Sequence, residues 1–375
     1  ENNTEYVIGL SGPLTGDAAM YGTAVANAAQ MAVDEINAAG GLNGIKFKLV
    51  VLDDKNDASA IATNFATLLE NGMQVSLGAV TSAPCNEFKT YAKDENVFFL
   101  TPSASNDEVP QFDNGFQMCF ADGNQGSVAA DYVNKTCSGT TIGVFYKSDD
   151  PYSVGIFNQF KEKLDASVKT IETSFNDATA TDFSVQIDNM KECSFVFMPI
   201  YYEPASLFMT QARGVIADNA VYYGCDGLDG LASMEGFDVN SIPQEISMLS
   251  QFNSKSTEGA SAEYIRKYVE KYGEETLNQF GASAYDSVYA IYGAMKKAYE
   301  ADNNAIYVTM SPSELCEVLK GVFNGGYTCS GVTGVADLTV ETWHHLFRSK
   351  AQLGSKAIAG LVVVSIEHHF GNVRS

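Results

Sequence analysis

Short apolar runs separated by amphipathic stretches alternate along most of this chain. Residues 6–10 form an apolar run ended by Ser11-Gly12-Pro13-Leu14-Thr15-Gly16. The segment 23–39 then places Val25, Ala28, Ala29, Ala32, Val33 and Ile36 at helical spacing before Gly40-Gly41 stops it. The pattern goes on to predict strands at 47–52, 75–80 and 97–100, with helices over 61–69 and in a stretch ending near Asp94. A second set follows Gln125-Gly126: a helix face at 128–133, a strand at 141–146, a helix at 154–164, a strand at 168–173, a helix at 183–190, a strand at 195–200, a helix at 205–216 and a strand at 221–223. Runs without polar alternation are buried on both faces, so each set predicts a parallel sheet covered by helices. After 246–250, helices return at 260–272, at 282–301 and behind Ser311-Pro312-Ser313-Glu314, a capping box with proline at the first helical position. These last helices have no strands of their own and are expected to lie on the first set.

The expected fold is therefore α/β, with two Rossmann-like lobes built on parallel central sheets. Lobe 1 comprises residues 1–122 and 256–331, lobe 2 residues 123–255 and 332–375, and three crossings of the chain form the hinge. A chain of 375 residues, 45% hydrophobic, carries enough apolar side chains for two such cores. No period of 20–50 residues repeats, so one architecture is used twice rather than stacked as a solenoid.

Charge narrows the partners. With 46 acidic against 23 basic residues and a net charge of -23, a nucleic-acid backbone or an anionic membrane surface would be repelled. The longest apolar run, 357–364, falls far short of the roughly 20 residues needed to span a bilayer. Glu1-Asn2-Asn3-Thr4-Glu5 reads as the cut end of a mature or trimmed protein.

The seven cysteines match no zinc spacing and read mainly as buried small hydrophobes, with Cys85–Cys119 and Cys316–Cys329 as candidate disulfides. His344-His345 and His368-His369 lack the spacing of a metal pair and read as solvated surface. Asp53-Asp54 and Asp149-Asp150 read as strand-end turn residues. No nucleophile elbow, P-loop or dinucleotide fingerprint occurs, so neither an enzyme nor a cofactor is expected.

Several predicted strand ends offer polar groups instead. Thr81-Ser82-Ala83-Pro84 and Thr101-Pro102-Ser103-Ala104-Ser105 present hydroxyls and helix-terminal N–H groups suited to a carboxylate. Asp149-Asp150-Pro151-Tyr152, Tyr201-Tyr202 and Asp226-Gly227 supply aromatic faces and a carboxylate suited to an ammonium group. Carboxyl ends of strands are where open α/β sheets bind ligands, and an anion site on one lobe with a cation site on the other describes a clamped zwitterion.

In the order Gly12-Pro13-Leu14-Thr15-Gly16, Tyr21-Gly22, Ala32-Val33-Asp34-Glu35-Ile36-Asn37-Ala38-Ala39-Gly40-Gly41, Asp53-Asp54, Thr101-Pro102-Ser103-Ala104-Ser105, Asp182-Phe183-Ser184, Gln211-Ala212-Arg213 and Gly224-Cys225-Asp226-Gly227, the chain resembles the leucine/isoleucine/valine-binding type of extracytoplasmic solute-binding protein of ABC transporters, with the type I periplasmic-binding-protein fold. Ala284-Tyr285-Asp286 and Gly331-Val332-Thr333-Gly334 extend the match. The resemblance implies that Ser82, Ser103, Ala104 and Ser105 hold a ligand's α-carboxylate, with Thr81 the alternative to Ser82 if the loop is shifted. It implies that Asp226 binds the α-ammonium, that Tyr152 and Tyr201 are the aromatic positions of the second lobe, and that Tyr21 lines the side-chain pocket. It further implies an extracytoplasmic monomer that captures an apolar or aromatic amino acid by hinge closure and passes it to an ABC permease in the membrane. Residues 337–358, around Val340-Glu341-Thr342-Trp343-His344-His345, depart from the family pattern, while 361–366 still reads as its last strand. Other readings are an amide, urea or aromatic acid as ligand, a glycosidase using Asp149, Asp150 and Asp226, and a sensory domain of the same fold.

Overall fold

A computed structural model describes residues 3–337 and 362–365, which divide into two compact units. In unit 1 the chain runs β1 (Tyr6–Gly12), α1 (Ala19–Ala38), β2 (Phe47–Asp53), α2 (Ile61–Glu70), β3 (Val75–Ala79), α3 (Ser82–Asp94), β4 (Phe99–Thr101) and β5 (Gly115–Gln117). It passes to unit 2 after Phe120 and runs α4 (Asp122–Thr136), β6 (Thr141–Lys147), α5 (Pro151–Lys163), β7 (Lys169–Phe175), α6 (Ser184–Asn189), β8 (Phe195–Met198), α7 (Tyr202–Gln211), β9 (Val221–Gly224) and β10 (Glu245–Ser250). From Phe252 it is again part of unit 1, with α8 (Gly259–Tyr272), α9 (Gln279–Ala301), α10 (Pro312–Asn324) and the hairpin β11 (Thr328–Gly331) and β12 (Gly334–Asp337). Strand β13 (Val362–Ser365) belongs to unit 2.

The unit 1 sheet has the order β2-β1-β3-β4-β5, every pair parallel. The unit 2 sheet has the order β13-β10-β9-β8-β6-β7, parallel except where β13 runs antiparallel to β10. Strand β1 is buried at every position, as a central strand covered on both faces must be. The passages between units lie at 120/121 and 251/252, a few residues before the expected crossings, and the described hairpin 328–337 falls wholly in unit 1, so lobe 1 does not end at 331. Residues 338–361, which include the divergent stretch and His344-His345, lie outside the described residues, as do His368-His369.

The helices after Phe252 join unit 1, as their lack of strands implies. On α1, Glu35 Oε2 accepts from Tyr285 Oη at 2.5 Å and Tyr289 Oη at 2.8 Å of α9, and Glu35 Oε1 pairs with Lys267 of α8 at 3.2 Å. One carboxylate thus ties three helices together. Asp286 accepts from Val332 N at 2.8 Å, Thr333 N at 2.9 Å and Thr333 Oγ1 at 2.5 Å, so two segments far apart in the family motif meet at one hairpin turn.

Neither candidate disulfide forms: Cys85, Cys316 and Cys329 carry free thiols. Cys85 fills the core beside Phe65, Phe88 and Phe99, and Cys316 gives a weak hydrogen bond to Asn96 Oδ1 at 3.4 Å. Burial pushes both thiols up to about 12, so they act as small apolar side chains rather than as reactive groups.

Candidate functional site

In unit 1 the carboxyl ends of β3 and β4 carry the predicted anion-binding hydroxyls. Helix α3 opens behind Thr81, an N-cap in extended conformation whose side chain makes no capping bond. Thr81 Oγ1 is buried with no hydrogen-bond partner among the described residues, whereas Ser82 Oγ accepts from Asn106 N at 3.2 Å. Ser103 Oγ gives its proton to Val80 O at 2.7 Å, and Ala104 N donates to Thr101 Oγ1 at 3.1 Å. Gln117 of β5 then pins the loop from beneath, donating to Ala104 O at 2.7 Å and Asn106 O at 2.8 Å. Ser103 and Ala104 therefore help to build the 101–106 turn. The group left with an unused buried hydroxyl beside a helix N-terminus is Thr81. Ser105 is buried in the same turn.

At the neighbouring end of β1, Asp53 and Asp54 hold loops. Asp53 accepts from Leu14 N at 2.9 Å and Thr15 Oγ1 at 2.6 Å, and Asp54 accepts from Ser11 Oγ at 2.8 Å. Burial pushes the Asp54 carboxyl up to about 6. Behind this loop Tyr21 is buried on α1 with its ring 4.8 Å from that of Phe280, edge to face.

In unit 2 the residues expected to face an ammonium group gather around Asp226, in a short 3₁₀ turn after β9. Tyr152 Oη donates to Asp226 Oδ1 at 2.8 Å and accepts from Gly227 N at 2.9 Å, and Gln125 Oε1 accepts from Asp226 N at 3.1 Å. Tyr152 stands in the first turn of α5, where Asp150 caps by accepting from Tyr152 N at 3.3 Å and Pro151 sets the helical φ. The Tyr201 ring packs on Tyr152 at 4.9 Å, while its neighbour Tyr202 turns into the core. Glycine at 227 is required, because a Cβ there would lie 2.7 Å from Tyr152 Oη and from Ile200 O.

Asp226 is 6% exposed, and no lysine or arginine pairs with it among the described residues. Burial pushes its carboxyl up to about 6, against the pull of the Tyr152 hydrogen bond. The acid pairs raised by the sequence have other duties: Asp150 caps α5, and Asp149 Oδ2 accepts from Asp177 N at 2.9 Å. No group of metal-ligating side chains occurs among the described residues. Gln125 was not singled out by sequence reasoning. Its signal was the dipeptide Gln125-Gly126 before an apolar helical face, since a Cβ at 126 would strike Ile156 O at 2.6 Å where α4 meets α5.

A sequence profile described as periplasmic binding protein matches residues 5–322, the greater part of this chain. The chain belongs to the periplasmic binding protein family. This periplasmic binding protein is 26% identical over 352 residues to the leucine-, isoleucine-, valine-, threonine- and alanine-binding protein of Pseudomonas aeruginosa, covering 90% of this chain and 89% of the relative. It is 30% identical over 233 residues to a Leu/Ile/Val-binding protein of Rhizobium johnstonii, covering 60% of this chain and 62% of that one. Among solved structures it resembles the branched-chain amino acid transporter substrate-binding protein LivJ of Streptococcus pneumoniae in complex with isoleucine, with TM-score 0.75, 25% identity, and 90% and 92% of the two chains covered. The type I fold expected from the sequence is the fold of these relatives. No described helix of this periplasmic binding protein is long and apolar enough to cross a membrane.

Proposed function

We propose that this protein captures an α-amino acid with an apolar side chain outside the cytoplasm and delivers it to an ABC permease. The reading rests on one observation above the others. Asp226 is a buried residue whose carboxylate accepts from Tyr152 and whose backbone N–H is held by Gln125, with no cation beside it among the described residues. Such a group is costly to keep charged unless a partner of opposite sign arrives, and an α-ammonium is that partner. For a ligand carboxylate, unit 1 offers donors at the α3 N-terminus and the Thr81 hydroxyl, with Ser82 the first residue of that helix and Ser105 in the adjoining turn. Tyr21, Tyr152 and Tyr201 supply aromatic surface for the rest of the ligand. Leucine, isoleucine and valine stand in the name of one relative, beside threonine and alanine, and isoleucine is bound in the structure of another.

Thermal-shift and calorimetric titration with L-leucine, L-isoleucine and L-valine test this, alongside 4-methylpentanoate and leucinamide, which lack the ammonium and the carboxylate respectively. An amino acid at about 100 times its Kd adds ~2.7 kcal/mol of stability, and each truncated analogue should lose most of that. If 4-methylpentanoate binds as tightly as leucine, Asp226 has no ammonium to bind and the ligand is an acid without an amine.

A further inference from the structure

The backbone N–H groups of the 101–106 turn can be followed one by one. Thr101 Oγ1 accepts from Ser103 N at 3.4 Å and from Ala104 N at 3.1 Å, and Ser82 Oγ accepts from Asn106 N at 3.2 Å. Ser105, between Ala104 and Asn106 and 1% exposed, makes no hydrogen bond among the described residues through its N–H or its hydroxyl. Buried backbone N–H groups are almost always paired, so a turn that pairs its other donors and leaves this one is built to receive an acceptor.

Gln117 decides where that N–H points. It stands on β5 opposite Thr101 in the parallel register, fully buried, and gives both hydrogens of its amide to the turn, at Ala104 O and Asn106 O. The Ala104 carbonyl and the Ser105 N–H belong to one trans peptide plane and point in opposite directions. Holding the oxygen toward Gln117 therefore turns the N–H away from it. Ser82 Oγ holds the next plane through Asn106 N, so both planes that meet at the Ser105 Cα are fixed, and the direction of its side chain with them. Gln117 Oε1 is buried with no partner among the described residues. A buried amide with an empty acceptor costs stability, so what sets this residue in place is its pair of donors.

We propose that Gln117 is the positioning residue of the carboxylate end, aiming the Ser105 N–H, and with it the Ser105 hydroxyl, at a ligand carboxylate. This deepens the amino-acid reading and rests on it for the ligand, while the wiring of the turn stands without it. Thr101 and Gln117, paired across β4 and β5, divide the work: the threonine takes up the N–H groups before Ser105, and the glutamine holds the carbonyls on either side of it.

The test compares the parent with Gln117→Met, which keeps the length of the side chain without its polar atoms; Gln117→Leu replaces it if the methionine variant does not fold. Calorimetry with L-leucine should show a loss of affinity of about tenfold, the size of one hydrogen bond to a charged group. Amide proton NMR at saturating leucine gives the reading that mere packing would not move. The Ser105 amide proton should shift downfield on binding in the parent and fail to do so in the variant. A glutamine with only a structural role would lower the melting temperature and leave the Ser105 response as in the parent, and that result overturns the proposal. So does a Ser105 proton that leucine leaves unmoved in the parent. If the parent binds none of the amino acids, the amino-acid reading fails, and crystal structures of the free proteins decide the role of Gln117. A 104–105 peptide plane that turns in the variant upholds it, and one that keeps its orientation overturns it.

Discussion

At the scale of single residues, function and stability pull against each other at Asp226. Its carboxyl stands at about 6 instead of the ordinary 3.8 because it is buried, so keeping it ionised at neutral pH costs the free protein up to about 3 kcal/mol. Asp226→Asn removes that cost while the new carbonyl oxygen can still accept from Tyr152. The variant should melt higher than the parent in ligand-free buffer at pH 7.5, yet bind L-leucine more weakly by about 2–5 kcal/mol, as when one side of a buried charge pair is removed. Thr81 and Ser103 separate in the same way. Thr81→Val deletes a hydroxyl with no hydrogen-bond partner among the described residues, so urea unfolding should be little changed while leucine affinity falls. Ser103→Ala breaks a clamp on Val80 O and should cost roughly 1–2 kcal/mol in the same unfolding experiment.

At the scale of elements, the close approach of α4 to α5 is a packing condition for the site. Gly126→Ala would force a methyl group to within 2.6 Å of Ile156 O. Overpacking of that kind costs typically about 1–3 kcal/mol, and urea denaturation should show it together with a loss of leucine affinity, because both grips on Asp226 ride on this helix pair. Apolar periodicity was legible for α1 and α2, where Ala, Val, Ile and Leu recur on one face, and the capping box of Ser311 and Glu314 marked α10. Periodicity failed at the start of α4, where Asp122, Gly123, Asn124 and Gly126 are poor helix formers and carry no apolar period, and Gln125 was hidden among them. Strand β5 was missed for a similar reason: three residues led by a glycine carry no period, and only pairing with β4 makes them a strand.

At the scale of the whole molecule, pH acts on the free and liganded protein in opposite directions. Asp54, Asp150 and Asp226 are each buried and pushed up to about 6. A carboxyl raised in the folded state contributes stability that is complete below its unfolded pKa near 3.8 and is lost as pH rises through 6. Asp34, Asp53 and Glu35, held below their ordinary values by hydrogen bonds and lysine partners, act in the contrary sense only in stronger acid. The free protein should therefore melt higher at pH 5.5 than at pH 7.5. The added stability from saturating leucine should shrink over the same interval, because an ammonium needs Asp226 charged. A ligand-induced shift that grows on acidification would contradict the assignment of Asp226.

The alternation of apolar runs determined by itself that two parallel α/β units exist and which strand ends carry polar residues, because burial on both faces of a sheet leaves a mark in composition that no packing detail can erase. It also marked Asp226 and the 101–105 turn as places where chemistry sits. Tertiary structure alone decided how those groups are used. Whether the hydroxyl of Thr81, Ser82 or Ser103 is available depends on which backbone carbonyl or N–H lies within about 3 Å of each. Whether Asp226 is a turn former or a buried, tuned carboxylate depends on Tyr152 and Gln125, which lie 74 and 101 residues away along the chain. Hydrogen bonds of that span leave no local pattern to read, and they are what fix a carboxylate at a strand end in one buried orientation.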